Sequence, residues 1–184
     1  MKQLYVIILL VNSMLTIYKP ELKDYWYEKK INEDANSMSY NAGYDVSYYG
    51  YHYDTGQIDF PENRWEEVYN KRKNDNKRFF AYLKDIDSNE FVGYVNYQYD
   101  NDEGRYDCGI VIEYNKRGHG YAKEGLKLLC EEAKKNGIKE LYDNFEKDRD
   151  GTQVFFDLGF EVATETKWKK FNKDVDGIIV RKIL

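Results

Sequence analysis

Histidine and cysteine are scarce in this 184-residue sequence: two of each, His52 and His119, Cys108 and Cys130. No metal-ligating cluster can be drawn from them, so no metal is expected. The cysteines lack CxxC spacing and sit inside apparent regular elements. They read as buried, reduced thiols of a cytoplasmic protein rather than a disulfide. Proline occurs only twice, and no linker or internal repeat divides the chain. Positive charge is in deficit, 28 Lys and Arg against 33 Asp and Glu, a formal net charge of −5. A nucleic-acid partner normally demands a basic face, so none is expected. The apolar run LYVIILLV, Leu4 to Val11, is too short to span a membrane and is followed by no small-residue cleavage signature. Residues 1–13 are therefore read as an apolar extension or edge strand, and 14–184 as one domain.

What the chain does have is a regular alternation of elements. LTIYKP predicts a first strand ended by Pro20, and ELKDYWYEKKINED a helix. PENRWEEVYNKRKND places proline in the first turn of a second, amphipathic helix. RFFAYLKDI and EFVGYVNYQY alternate as a hairpin, and RYDCGIVI supplies the next strand. A long helix, the strand IKELYDNF, the short helix GTQVFFDL and two terminal strands follow. A meander followed by strand–helix–strand is a mixed α/β (α+β) arrangement. It predicts a mostly antiparallel sheet of about six to seven strands with about four helices.

The segment RGHGYA, Arg117 to Ala122, joins an apolar strand to the long helix. Ala122, Leu126, Leu129, Cys130 and Ala133 form one apolar stripe on that helix, which Asn136-Gly137 ends. At the start of a helix several backbone N–H groups lack partners, and the dipole favours an anion. Gly118 and Gly120 allow a ligand to approach the main chain. The spacing excludes a dinucleotide GxGxxG, which needs glycine where Lys123 stands, and no Walker A loop is present.

Arg117-x-x-Gly120-x-Ala122 resembles the R/Q-x-x-G-x-G/A pyrophosphate loop of the GNAT acyl-CoA N-acyltransferases. The order loop, long helix, strand, polar turn, short helix and the pair Gly159-Phe160 is similar to the family's core. The wording GYAKEG looks most like its ribosomal-protein and small-amine acetyltransferase branches. The likeness covers about residues 78–184, and from 15 to 75 only the order of elements agrees. It implies a single GNAT-like domain that uses acetyl-CoA to acetylate a primary amine, a small molecule by preference, through direct transfer. It is compatible with a homodimer.

The resemblance also implies roles. Main-chain groups of Gly118, His119, Gly120, Tyr121 and Ala122, with Arg117 opening the loop, would hold the pyrophosphate. The backbones of Ile110 and Ile112 would pair with the pantetheine. Asp107 falls where the family often has Glu, and Glu113 is the other nearby acid. One of them would take the proton that an ammonium with a pKa near 10.4 must lose. A solvated strand-end carboxylate is the alternative for each. The polar-turn Asn falls on Asp148, and the helix Tyr that protonates the departing thiolate falls on Phe155. These two departures leave open a catalytically weak CoA-binding sensor with the same fold. Six tyrosines crowd residues 40–53, and Tyr44, Tyr48 and Tyr51 could line a cation-attracting acceptor pocket or simply pack a loop. The alternation of Tyr49, Tyr51 and Tyr53 also fits a short strand.

Overall fold

The computed structural model describes residues 13–184. The expected N-terminal extension lies outside them apart from Ser13. Seven strands form one sheet: β1 (Leu15–Tyr18), β2 (Arg78–Asp85), β3 (Phe91–Asp100), β4 (Arg105–Ile112), β5 (Glu140–Glu146), β6 (Glu161–Lys170) and β7 (Lys173–Ile183). Their order across it is β1-β2-β3-β4-β5-β7-β6. Every neighbouring pair is antiparallel except β4 and β5, which are parallel. The mixed sheet expected from the meander and the strand–helix–strand order is thus the sheet observed.

The β2–β3 turn is held by Asp85, whose carboxylate accepts from the Ser88 N–H at 2.7 Å. Asn89 takes the left-handed conformation, φ 60°, which a short polar side chain tolerates. The helix α4 (Tyr121–Lys135) covers one face of the sheet. Its stripe of Leu126, Leu129, Cys130 and Ala133 joins Leu83, Val95, Cys108, Leu141 and Phe145 in the main core. Each buried leucine contributes about 1.5–3 kcal/mol. Gly125 is required in this stripe, because a Cβ there would press into the Leu83 side chain.

On the other face, α1 (Trp26–Asn32) and α2 (Ala35–Met38) lay Tyr27, Ile31 and Met38 against Tyr82, Tyr94 and Val111. The first helix is shorter than the sequence suggests, because Leu22–Asp24 is a 3-10 turn. The Tyr18 hydroxyl donates to the Asp24 carboxylate there at 2.8 Å. The helices α3 (Trp65–Asn74) and α5 (Gln153–Asp157) complete the described set. The tyrosine-rich segment does not form the expected short strand. It folds back through an isolated bridge, Tyr51 to Ile58, and Tyr44 makes a second bridge with Lys170.

Candidate active site

The parallel strands β4 and β5 are paired at one position, Asp107 opposite Tyr142. β4 then continues to Ile112 and β5 to Glu146 without a further rung between them. The two strands form a fork, and its β4 edge offers backbone groups with no strand partner. A cavity of about 610 Å³ occupies the fork. Ile110 and Ile112 form one wall, Asp143 and Phe155 the other, and the Gly118–Ala122 loop closes one end.

That loop is shaped for an anion. Gly118 and Gly120 have φ of 85° and 82°, a conformation that favours glycine. A Cβ on Gly118 would point into open space, and one on Gly120 would meet only the end of Met14. Gly120 is the residue from which the 15-residue α4 starts, and no side chain caps it. The free N–H groups of the first turn are therefore available to a ligand. Arg117 anchors the loop from behind. Its guanidinium donates to the Ile112 carbonyl at 3.2 Å and the Ser37 carbonyl at 2.9 Å. Lys116 pairs with Glu90 at 2.5 Å, and the Tyr121 hydroxyl donates to Asp85 at 2.7 Å.

A second cavity, about 360 Å³, lies on the α1–α2 face. Asn96, Gln98, Tyr94 and Tyr48 line it, and Tyr40 lines both cavities. Its floor carries a bidentate pair in which Arg72 donates to both Glu28 oxygens at 2.6 and 2.8 Å. The guanidinium also lies 3.6 Å from the Phe80 ring centre.

The sequence model of the acetyltransferase (GNAT) family matches residues 44–160. The chain belongs to that family. Solved structures with the same fold include a Salmonella typhimurium protein with its cofactor acetyl-CoA, at 15% identity and TM-score 0.72. It covers 93% of this chain and 94% of its own. Ribosomal-protein-alanine N-acetyltransferase from Brucella melitensis is 20% identical, with TM-score 0.71, covering 92% and 99%. Spermidine N-acetyltransferase from Vibrio cholerae, in complex with CoA and spermine, is 18% identical, with TM-score 0.70, covering 94% and 96%. No curated protein matches the sequence. GNAT membership makes the chain an acetyl-CoA-dependent N-acetyltransferase, with acetyl-CoA as co-substrate; it does not fix the acceptor. The open loop at the start of α4 and the unpaired edge of β4 fit that co-substrate.

In this GNAT fold, Ile110, Ile112, Arg117, Gly118, Gly120, Tyr121 and Ala122 all border the fork cavity. The His119 side chain is exposed instead. Its Nδ1 lies 3.0 Å from the Arg117 carbonyl, and its ring stacks on Tyr121. Asp148 is exposed and outside the lining, whereas Arg149, Asp150 and Gly151 contribute to it. Asp107 sits at the closed end of the fork, half-buried and outside the lining of both cavities, 2.9 Å from Arg105. Burial pushes its carboxyl up, against the opposing pull of Arg105. Glu113 lies apart from both cavities, buried and paired with Lys30 at 2.5 Å. Its second oxygen and the Tyr27 hydroxyl have no hydrogen-bond partner.

Of the three tyrosines expected to contact an acceptor, Tyr48 borders the second cavity. The other two serve the loop: Tyr44 donates to Glu146 at 2.9 Å, and Tyr51 to the Asn41 carbonyl at 2.8 Å. The structure adds Tyr40, Asp143 and Arg149, which the sequence reading missed. For Asp143 a signal existed. Leu141, Asp143 and Phe145 alternate on one face of β5, and a carboxylate between two core positions is out of pattern. Phe155, where a tyrosine was expected, is buried against Phe145 and Phe160 at centroid distances of 5.1 and 5.2 Å. Burial holds the Cys108 thiol well above its ordinary range and pushes Cys130 up to about 11. Among the described residues, no group of three or more His, Cys, Asp and Glu side chains is placed to hold a metal. No helix among them is long and apolar enough to cross a membrane.

Proposed function

We propose that the chain transfers acetyl from acetyl-CoA directly to the primary amine of a small molecule. The observation that carries this reading is that one residue, Tyr40, borders two cavities, one in the β4–β5 fork and one on the α1–α2 face. In this reading the main-chain groups of Gly118–Ala122 hold the pyrophosphate, with the dipole of α4 behind them. The free edge of β4 at Ile110 and Ile112 pairs with the pantetheine amides as an added strand would. That direction carries the thioester toward the closed end of the fork.

The acceptor enters through the second cavity, whose roughly 360 Å³ suits a small molecule better than a folded protein surface. Asp107, on the same β4 face as Gly109 and across from Gln98, takes the proton that makes the nitrogen nucleophilic. Its raised affinity for protons, caused by burial, narrows the gap to an ammonium. A covalent acetyl-cysteine route is disfavoured, because both thiols are buried and held protonated. Two free cysteines also suit a reducing cytoplasmic setting.

The test incubates the protein with acetyl-CoA and a panel of polyamines, aminoglycosides, amino acids and peptides while free thiol is monitored. Release that depends on a small amine supports the reading. Release with peptides alone would move the acceptor to a protein. CoA binding without release on any acceptor would instead support a sensor.

A further inference from the structure

We infer that Asp143 is the acid that protonates the departing CoA thiolate, in the place where Phe155 offers no hydroxyl. The inference rests on the N-acetyl-transfer reading above and adds a residue to it.

Position is the first argument. Asp143 follows Tyr142, the residue of the only β4–β5 rung among the described residues, so it stands where the fork opens. It borders the cavity. Its side chain shares the β5 face of Leu141 and Phe145, opposite the face of the paired Tyr142 and Asp107. The closed end of the fork thus has one carboxyl on each face of the sheet: Asp107 on the face of Gln98 and Asp143 on the core side. The only hydrogen bond to the Asp143 side chain among the described residues comes from its own neighbour, the Asn144 N–H, at 2.7 Å. The carboxyl is otherwise uncommitted, inside a cavity where a polar group ordinarily finds a partner.

Elimination is the second. Among the other cavity residues that carry a proton, Lys116 is paired with Glu90, Tyr121 donates to Asp85, Ser39 donates to the Asn36 carbonyl, and Arg117 braces the loop. Arg149 lies over the Tyr40 and Phe145 rings, 5.4 and 5.3 Å from their centres. Asp150 is exposed in the turn beyond β5. The Tyr40 hydroxyl is pushed up to about 12 by burial, further from a thiol near 8.5 than an ordinary tyrosine near 10. Phe155 has no proton to give.

The titratable and charged groups near enough to act on Asp143 are Arg149 beyond β5, Cys108 on β4, Tyr40 in the cavity lining, and Asp107 through the sheet from its opposite face. Burial raises its carboxyl, against the Asn144 N–H and Arg149 and with a smaller push from Asp107, to a net value of about 7. It therefore keeps its proton near neutrality and is still acidic enough to yield it to a thiolate.

The step balances as follows. An ammonium acceptor gives one proton to Asp107, which passes it to solvent. The amine nitrogen forms a bond to the thioester carbonyl carbon, and the carbon–sulfur bond breaks with its electron pair on sulfur. Asp143 donates its proton to that sulfur, giving free CoA thiol. The second proton leaving the nitrogen restores the Asp143 acid as the amide forms.

The experiment measures kcat against pH at saturating acetyl-CoA and amine for the wild type, Asp143→Asn and Asp143→Glu, with calorimetric CoA binding for each. The wild-type kcat is expected to fall as pH rises through about 7, because the protonated form is the active one. Asp143→Asn is expected to lose about 100-fold or more in kcat, to bind CoA as the wild type does, and to lose that pH limb. Asp143→Glu is expected to recover part of the loss. A wild-type kcat that is flat or rises through that range would overturn the inference even if neither variant folds. So would an Asp143→Asn protein with unchanged kcat. Failure of the wild type itself to acetylate any amine is a different result, and it sinks the proposed function.

Discussion

Asp107 of β4 and Tyr142 of β5 face each other across one rung, and beyond it the two parallel strands part. Asp107 is thereby fixed at the closed end of the fork, its carboxylate 2.9 Å from Arg105. Asp107→Asn removes the proposed proton acceptor while keeping the side chain's shape. The expected loss is about 100-fold or more in kcat/KM for the amine. A raised pKa places the loss of the active carboxylate form at the low-pH side, so wild-type kcat/KM falls as pH drops and the variant lacks that limb. A pH profile of both proteins checks it.

The glycine loop yields a binding prediction. Gly120→Glu places a side chain at φ 82°, which costs about 1–2 kcal/mol, and sets a carboxylate at the anion end of α4. CoA affinity is expected to fall by about 100-fold or more, combining strain with like-charge repulsion. Unchanged affinity in calorimetry would show that the pyrophosphate lies elsewhere.

A stability prediction follows from Asp143. Its folded pKa, about 7, exceeds the roughly 3.9 of an unfolded aspartate. Between those values the folded state holds the extra proton, so stability declines as pH rises through the window. Asp143→Asn lifts that cost. The variant is expected to match the wild type near pH 4 and to exceed it near pH 8 by on the order of 2 kcal/mol, allowing for partial solvation. Denaturant titrations at the two pH values read the difference.

The Glu28–Arg72 pair supports the lining of the second cavity. Both groups are largely enclosed, at 6% and 24% side-chain exposure. Arg72→Met leaves Glu28 charged and unpaired beneath the second cavity. The expected destabilisation is about 3–5 kcal/mol, measured as a lower urea midpoint with an unchanged slope.

The sequence made the frame legible because its signals are local. Period-two alternation marked β2 and β3, the apolar stripe marked α4, and the glycines marked the loop before it. Tyr40 and Asp143, which line the fork cavity, were not legible in the same way. Tyr40 is one of six tyrosines in a short segment, and only the fold brings it beside β5. Asp143 differs from its neighbours by a single polar residue in an inward register, a signal visible in LYDNF but meaningful only once the fork is known. Tyr44 and Tyr51 show the converse. Their spacing left a pocket and a packed loop both open, and their hydroxyls are spent on Glu146 and the Asn41 carbonyl.

Two-substrate steady-state kinetics test the central claim most directly, with free thiol and N-acetylated amine followed together. Direct transfer predicts intersecting double-reciprocal lines, one acetylated amine for each thiol released, and no acetyl group retained on the protein. Parallel lines with an acetylated protein, or acetyl-CoA binding without amine-dependent thiol release, would contradict it.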